Sequence, residues 1–524
     1  MHACKSLADM SDKIKLTPRT NPDARRMYWM NRLEVQREDG TAEELRPTPE
    51  VIAVAIAKCS RFDTPFDQNL DDVSLEKAAE FHEKWVVGYG HSSVAEHATC
   101  SVAIENISQV LAKIIEDARL ASYTEKSTRY QPFSRSRMYV PPIVAQSRLA
   151  AEYNKVADLL FGFYEELRQP VAALMRERFP NTDELSEKQY EAQIRGRALD
   201  ATRCILPAGY LTALGMTANA RAWEQVISKL LSHPLEEARI VGEELKTILR
   251  GPADQDANAA LYTKALPTLL KYADAKPYLQ RVLTDVTIAT APFVPIQETV
   301  QTDLPRARMT RDDAWAEMRV AAALMMRTSR ISYEEALEAL QQEPKASGKI
   351  LDAALANRGA HDAPVRELEH AVFQHEIVTD YGAWKDIQRH RMCTQTNQLF
   401  GTELGYVMPD EMRILSQADR YASVMKKADE LYHHMLDEGM AHEAQYIIPM
   451  AYRKRMLVSW NLRELFHFIE LRSGIKGHPE YRRVAQEVWR TLEDTHPTIA
   501  KYIRVDLRGN EATTSTVGAK PKGV

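Results

Sequence analysis

Between Ser122 and Tyr130 the chain reads Ser-Tyr-Thr-Glu-Lys-Ser-Thr-Arg-Tyr, followed by Gln131-Pro132. Glu125, Ser127 and Arg129 stand two apart, so an extended backbone would project a carboxylate, a hydroxyl and a guanidinium from one side. That set suits recognition of phosphate and hydroxyl groups: a guanidinium offers a planar fork to phosphate oxygens, and serine adds a donor without bulk. The same residues also read as a polar, solvated loop ended by Pro132. A second cationic set, Asp386-Ile387-Gln388-Arg389-His390-Arg391, lies in the other half of the chain. A third stretch runs from Gly90-His91 to Glu96-His97. Its Glu-His pair resembles part of a metal site, but no further ligand stands at a recognisable spacing, so no metal is expected.

Composition bounds what these residues can serve. A chain of 524 residues is too long for one ordinary domain, and at least two cores are expected. With 44% hydrophobic and 27% charged residues it is composed like a soluble globular protein. The formal net charge of -5 gives no broad basic footprint for nucleic acid, so an anionic ligand has to be held by local arginine clusters. Five scattered cysteines, an odd number with no Cys-x-x-Cys pair, read as reduced thiols, and none has an evident activating base. The N-terminus lacks a signal-peptide apolar core and no run of ~18 apolar residues occurs, so a cytoplasmic protein without a membrane partner is expected.

The elements that must position these residues follow from periodicity. Pro49 to Asp63 reads as a helix ending near Cys59-Ser60, and 71 to 91 as a second, stopped by Gly88 and Gly90. A strand is expected after His97 and a helix over 107 to 121. Long helices fill much of 145 to 200, followed by Thr-Arg-Cys-Ile-Leu-Pro at 202 to 207 and Asn219-Ala220-Arg221. The pattern then returns. Glu369-His370 and its following strand echo Glu96-His97, and Gln445 to Asn461 spans 16 residues as Arg203 to Asn219 does. The chain therefore reads as an internal duplication with a period of about 250 to 270 residues. The expected organisation is a mobile N-terminus (1–24), a first domain (25–250), a Pro- and Ala-rich link (251–305), a second domain (306–508) and a disordered tail (509–524).

Each half resembles a flavin-dependent thymidylate synthase, over about 50 to 245 and 315 to 505. The family signature runs Arg-His-Arg-x-x-Ser-x-Asn-Glu-x-Ser-x-Arg-Tyr, preceded by a Gly-His...Glu-His turn and followed by Arg-x-x-Leu-Pro...Asn-x-Arg...Leu-Arg. The first half keeps Ser122, Glu125, Ser127, Arg129 and Tyr130 but has Asp117-Ala118-Arg119 for the leading Arg-His-Arg and Thr124 for the Asn. The second keeps Arg389-His390-Arg391 but no Ser-x-Arg-Tyr follows. Arg203 is kept where the second half has Gln445, and Arg472 where the first has Leu230 or, with a gap, Lys229. The losses are complementary, which points to one retained composite site per chain.

The resemblance implies an α+β fold: two tandem synthase-like domains, each a sheet with long helices, packed as an intramolecular pseudo-dimer. Two such chains would form a homodimer equivalent to the family's tetramer. It implies FAD as cofactor, methylenetetrahydrofolate and NADPH as co-substrates, and deoxyuridylate (dUMP) as the nucleotide methylated. Glu125, Ser127, Arg129 and Arg203 are expected to hold the nucleotide, and Arg389 and Arg472 to face the pyrimidine carbonyls. His91, His390, Arg391, Asn219, Arg221, Asn461, Arg463 and His478 are expected at the flavin. Two alternatives stand beside this reading: a flavoprotein modifying another pyrimidine nucleotide, which Thr124 and the Asp386 that replaces a usual Gln leave open, and a non-catalytic nucleotide-binding homologue.

Overall fold

The computed structural model describes residues 33–36, 42–45, 47–62, 69–70, 73–181, 185–251, 264–294, 306–475 and 477–508. The expectations for 1–24 and 509–524 lie outside these residues, as does part of the link. The chain combines helices with separate sheets and divides into two compact units. One holds the described residues within Met1–Ile107, Ile114–Glu125 and Thr212–Pro295; the other holds Ser108–Lys113, Lys126–Leu211 and those within Ile296–Val524. The second unit thus contains parts of both sequence repeats.

In the first unit β1 (Leu33–Gln36) and β2 (Ala42–Leu45) form an antiparallel pair. Thr48 caps α1 (Pro49–Lys58), the helix expected there, and its side-chain oxygen accepts from the amide of Val51. Val51, Val54 and Ala55 pack with Leu70, Val73, Leu75 and Ala78 as one apolar cluster. The helix expected to run on to Gly88 is α-helical only over Leu75–Phe81 and continues as a π-helix, His82–Gly88. The His82 ring is buried there against the carbonyl of Glu50. Gly90 follows with a φ of +74°, a conformation that glycine adopts without steric cost. The sheet of this unit places β5 (Leu211–Asn219) between β3 (Thr99–Ser108) and β4 (Ala121–Glu125).

The second unit repeats that sheet and extends it. Its order is β6 (Ala307–Arg311), β7 (Val372–Asp380), β9 (Arg453–Asn461), β8 (Cys393–Asn397). The registers match between repeats: Ala121 pairs with Ala218 and Glu125 with Leu214, as Cys393 pairs with Trp460 and Asn397 with Met456. In both repeats an Asn closing the central strand caps the next helix. Asn219 caps α2 (Ala220–Leu231), Asn461 caps α3 (Leu462–Arg472), and each accepts an amide hydrogen bond of 2.9 Å. Burial of Trp460 beneath the second sheet anchors that unit; deleting such a side chain typically costs ~3–5 kcal/mol.

Within the second unit, the segments around Pro207 and Pro449 pair as a local two-fold. The amide of Ala208 donates to Ile448 O and that of Met450 to Leu206 O, both at 2.9 Å. The amides of Gly209 and Ala451 likewise donate to Tyr446 O (2.7 Å) and Cys204 O (2.8 Å). A Cβ on Gly209 would lie 2.8 Å from Tyr446 O, so this approach needs glycine.

Candidate functional site

The site is built on the backbone just beyond β4. The strand stops at Glu125 and a turn replaces the extended run expected from the sequence. Ser127 is the cause: its Oγ accepts from the amide of Arg129 at 3.2 Å, and its carbonyl from those of Tyr130 and Gln131. Glu125, Ser127 and Arg129 therefore do not share one strand face. The turn sends Arg129 to Asp200 instead, with Nε and Nη2 each 2.7 Å from Oδ2.

Asp200 lies on the helix Glu187–Thr202, three residues before Arg203. Arg203 is 2% exposed; its Nε stands 3.4 Å from Asp200, its Nη2 3.9 Å from Asp386, and its Nη1 donates to Thr128. Asp386 belongs to the short helix Tyr381–Ile387, capped by Asp380, and is 3.5 Å from Arg389. Arg472, the last residue of α3, donates from Nη2 to the Asp386 carbonyl at 2.7 Å. One ladder of alternating charge thus links Arg129 and Arg203 of the first repeat to Arg389 and Arg472 of the second, all within the second unit.

Its electrostatics follow from burial and pairing. Burial raises the cost of the Asp386 carboxylate, yet Arg203, then Arg389, Lys385 and Arg472 more than offset it and hold its pKa below the ordinary value. Burial opposes the Arg129 charge, and Asp200 outweighs that as well. His478, at the start of the helix Pro479–Thr495, has its pKa pulled down to about 4 by burial and then by Arg203. The charges that act on His478 are thus those of the arginine ladder and Glu480. Burial and Glu480 push Asp380 up to about 7. Arg203 Nε and Nη2, Asp200 Oδ1 and Asp380 Oδ2 are buried without hydrogen bonds. Buried polar atoms left in this state mark where a polar ligand or water fits.

The remaining candidates sort by environment. His390 is 3% exposed and both ring nitrogens are engaged, Nδ1 with Glu464 at 2.8 Å and Nε2 with Arg472 Nε at 2.9 Å. That leaves it no nitrogen for a flavin. Arg391 is half-buried directly after it. Arg463 is held by Glu369 and the Pro364 carbonyl, each at 2.9 Å. In the first unit Arg221 pairs with Glu96, so the Arg of each Asn-x-Arg motif meets the Glu of the corresponding Glu-His turn. His91 is exposed there, 6.2 Å from the Trp85 ring, and Glu125 is half-buried at the end of β4.

The degenerate positions look different. Asp117 and Lys229 pair with each other at 2.8 Å, each about half exposed. Gln445 is spent internally, accepting from the Phe400 amide and donating to the His442 carbonyl. A side chain at Gly401 would meet Glu403 and Tyr432. Sequence reasoning missed Asp200 and Glu464. Asp200 had a signal in its helical spacing from Arg203, and Glu464 in being an acidic residue on the α3 face whose counterpart is Ala222. Among the described residues no group of three or more His, Cys, Asp or Glu side chains is placed to hold a metal, and no helix is long and apolar enough to cross a membrane.

The chain thus sets an arginine ladder, on a Ser-x-Arg turn and an Arg-His-Arg helix end, in a duplicated mixed helix and sheet scaffold. The model of the family described as Thymidylate synthase complementing protein matches residues 43–253 and again 314–498, and the chain belongs to that family as a tandem duplication. It is similar to a UPF0159 protein of Chlamydia muridarum, 30% identical over 454 residues (83% of this chain, 82% of that one). It is also similar to a flavin-dependent thymidylate synthase of Thermococcus onnurineus, 34% identical over 146 residues (28% and 51%). Among solved structures, a UMP/dUMP methylase PolB from Streptomyces cacaoi bound with 5-Br dUMP aligns over 39% of this chain and 96% of that one, at 17% identity and a TM-score of 0.30.

Proposed function

We propose that this chain methylates deoxyuridylate at C5 at one composite site, using FAD, with methylenetetrahydrofolate as one-carbon donor and NADPH as reductant. The observation that carries the reading is the ladder from Arg129 to Arg472. In the ladder itself guanidiniums outnumber carboxylates four to two, an excess of the sign that suits a phosphate monoester. Arg129 and Arg203, with Ser127 and Glu125, bind the phosphate and sugar. Arg389 and Arg472 face the pyrimidine carbonyls, where negative charge grows as the ring reacts; one preorganised donor of that kind is worth ~3 kcal/mol.

The donor set fits a flavin dinucleotide. Arg221 and Arg463 keep 44% and 34% of their side chains exposed near the N-termini of α2 and α3, a chemistry suited to a pyrophosphate. Within the first unit Arg221 with His91 and Asn219, and within the second Arg463 with Arg391 and Asn461, are the residues that would hold a FAD, which when bound supplies hydride. His478 is better assigned to the phosphate side. The local two-fold at Pro207 and Pro449 supports an intramolecular pseudo-dimer, built from domains at about 25–250 and 306–508 of a cytoplasmic protein. A homodimer of chains would complete a four-domain assembly, which light scattering on the purified protein tests.

The test is release of the C5 hydrogen of deoxyuridylate by FAD-loaded protein given methylenetetrahydrofolate and NADPH. A colourless protein that takes up no flavin would overturn the reading. Asp386, buried at the position where the family resemblance implies a neutral Gln, favours a second reading: modification of another pyrimidine nucleotide. Tight nucleotide binding without C5-hydrogen release would select it.

A further inference from the structure

Arginine has no acceptor, so the 2.9 Å contact between Arg472 Nε and His390 Nε2 requires that Nε2 carry the lone pair. The imidazole proton then sits on Nδ1, where Glu464 Oε1 accepts it at 2.8 Å. Carboxylate, neutral imidazole and guanidinium form a directed chain. We propose that Glu464 and His390 are positioning residues that fix one edge of Arg472 and thereby set how it meets the nucleotide ring. The inference rests on the composite-site reading above, because it takes Arg472 to be the group that acts on the substrate.

Three observations converge on it. First, Arg472 is held at two points of one edge, Nε by His390 and Nη2 by the Asp386 carbonyl, with its guanidinium carbon 5.2 Å from the centre of the Tyr481 ring. Second, the surroundings fix the imidazole. The His390 carbonyl accepts from Cys393 Sγ (2.9 Å) and Gln395 Nε2 (2.8 Å), and Phe468 packs edge-on against the ring at 5.0 Å. Third, the repeat counterparts of Glu464, His390 and Arg472 are Ala222, Ala118 and Leu230. All three members are missing together in the other copy, as expected if they act as one device.

The charged or titratable groups facing the ring are Glu464, His467 and Arg472 of α3; Cys393 of β8 meets only the His390 backbone carbonyl. Burial lowers the His390 pKa, Glu464 raises it and Arg472 lowers it again, with a net fall that keeps the ring neutral near pH 7. Protonation would remove the lone pair that holds Arg472 and set an N–H against an N–H. Activity should therefore fall on the acid side as His390 protonates.

The experiment follows the full chain, loaded with FAD, by long-range proton–nitrogen NMR on 15N-histidine-labelled protein and by kcat and KM for C5-hydrogen release across pH. The His390 signal, assigned by its loss in His390→Gln, is expected to show a protonated Nδ1 and a bare Nε2. Glu464→Ala should lower kcat by about 10- to 100-fold with little change in KM, the range seen when an orienting partner is removed. Glu464→Gln still accepts the Nδ1 proton and should recover most of kcat. Its acid limb should move to lower pH, because a neutral amide no longer stabilises the imidazolium; a purely structural role would shift thermal stability and leave that limb in place. A protonated Nε2 in the wild type, or an unchanged kcat in Glu464→Ala, overturns the proposal. Absence of C5-hydrogen release from the wild type would overturn the functional reading instead, and the tautomer signal would still decide the positioning pair.

Discussion

The ends of α2 and α3 are repeat counterparts that follow strands in the same register, behind the same Asn cap, and they have opposite chemistry. Arg472 closes α3, braced by buried His390 and Glu464. At the corresponding end of α2, Lys229 reaches a half-exposed Asp117, with alanines where the bracing pair would stand. The difference teaches that scaffold and site diverge separately. Caps, strand register and the Arg–Glu pair beside each Glu-His turn occur in both copies. The arginine ladder is kept once, and the copy without it has settled into a solvated ion pair.

The largest expected effect breaks the comparison at Arg472. Arg472→Ala should reduce kcat for C5-hydrogen release by ~10²- to 10³-fold, as loss of a preorganised donor does, while Lys229→Ala leaves it unchanged. Single-turnover kinetics on both variants check this, and equal losses would show that the α2 end is also used. Next comes Arg129, whose counterpart is Gly401. Arg129→Ala should weaken nucleotide binding by roughly 1.5–3 kcal/mol, about 10- to 150-fold, measured by calorimetry with deoxyuridylate. A wild-type affinity would remove the phosphate anchor from the ladder.

A third contrast lies in the central strands. Lys454 of β9 is buried with its ammonium 4.1 Å from the centre of the Trp384 ring, and its repeat counterpart is Thr212. Burial lowers its pKa from 10.5 to about 7. Between those values the unfolded chain holds a proton that the folded chain lacks, so stability should rise as pH increases from about 7 towards 10.5. Lys454→Met should raise stability at pH 7 by on the order of 1–4 kcal/mol and flatten that rise, which denaturant melts at neutral and alkaline pH would reveal. No gain at pH 7 would mean that the ammonium is better solvated than its position implies.

Much of this was legible in the sequence. The duplication, the Asn-x-Arg segments and the complementary losses are local motifs in a fixed order, and motif order survives without knowledge of side-chain paths. Three features were not legible, each because a tertiary partner decides it. Ser127 could equally have continued the strand; bonding its own turn redirects Arg129. His390 reads as flavin-lining in the motif, and only the approach of α3 shows both nitrogens occupied. Asp200 falls opposite His442, which lies in a turn, so self-comparison offers no carboxylate at that position.

The smallest expected effect is the most discriminating. Asp117 and Lys229 are each about half exposed, and an exposed ion pair contributes at most about 1 kcal/mol, so Asp117→Ala should barely move the melting temperature. It should also leave nucleotide stoichiometry at one per chain. Counterparts of the ladder arginines are Asp117, Lys229 or Leu230, Gln445 and Gly401, which together offer no guanidinium. The Asp117 carboxylate, paired with Lys229, offers nothing to a phosphate, and deleting it frees one ammonium without adding a fork that can bind. Titration of deoxyuridylate into FAD-loaded wild type and Asp117→Ala decides the point. A second equivalent bound by the variant alone would mean that one charge, and not the absent arginines, closes the other copy. Two equivalents bound by the wild type would end the comparison, since both ends would then serve the same ligand.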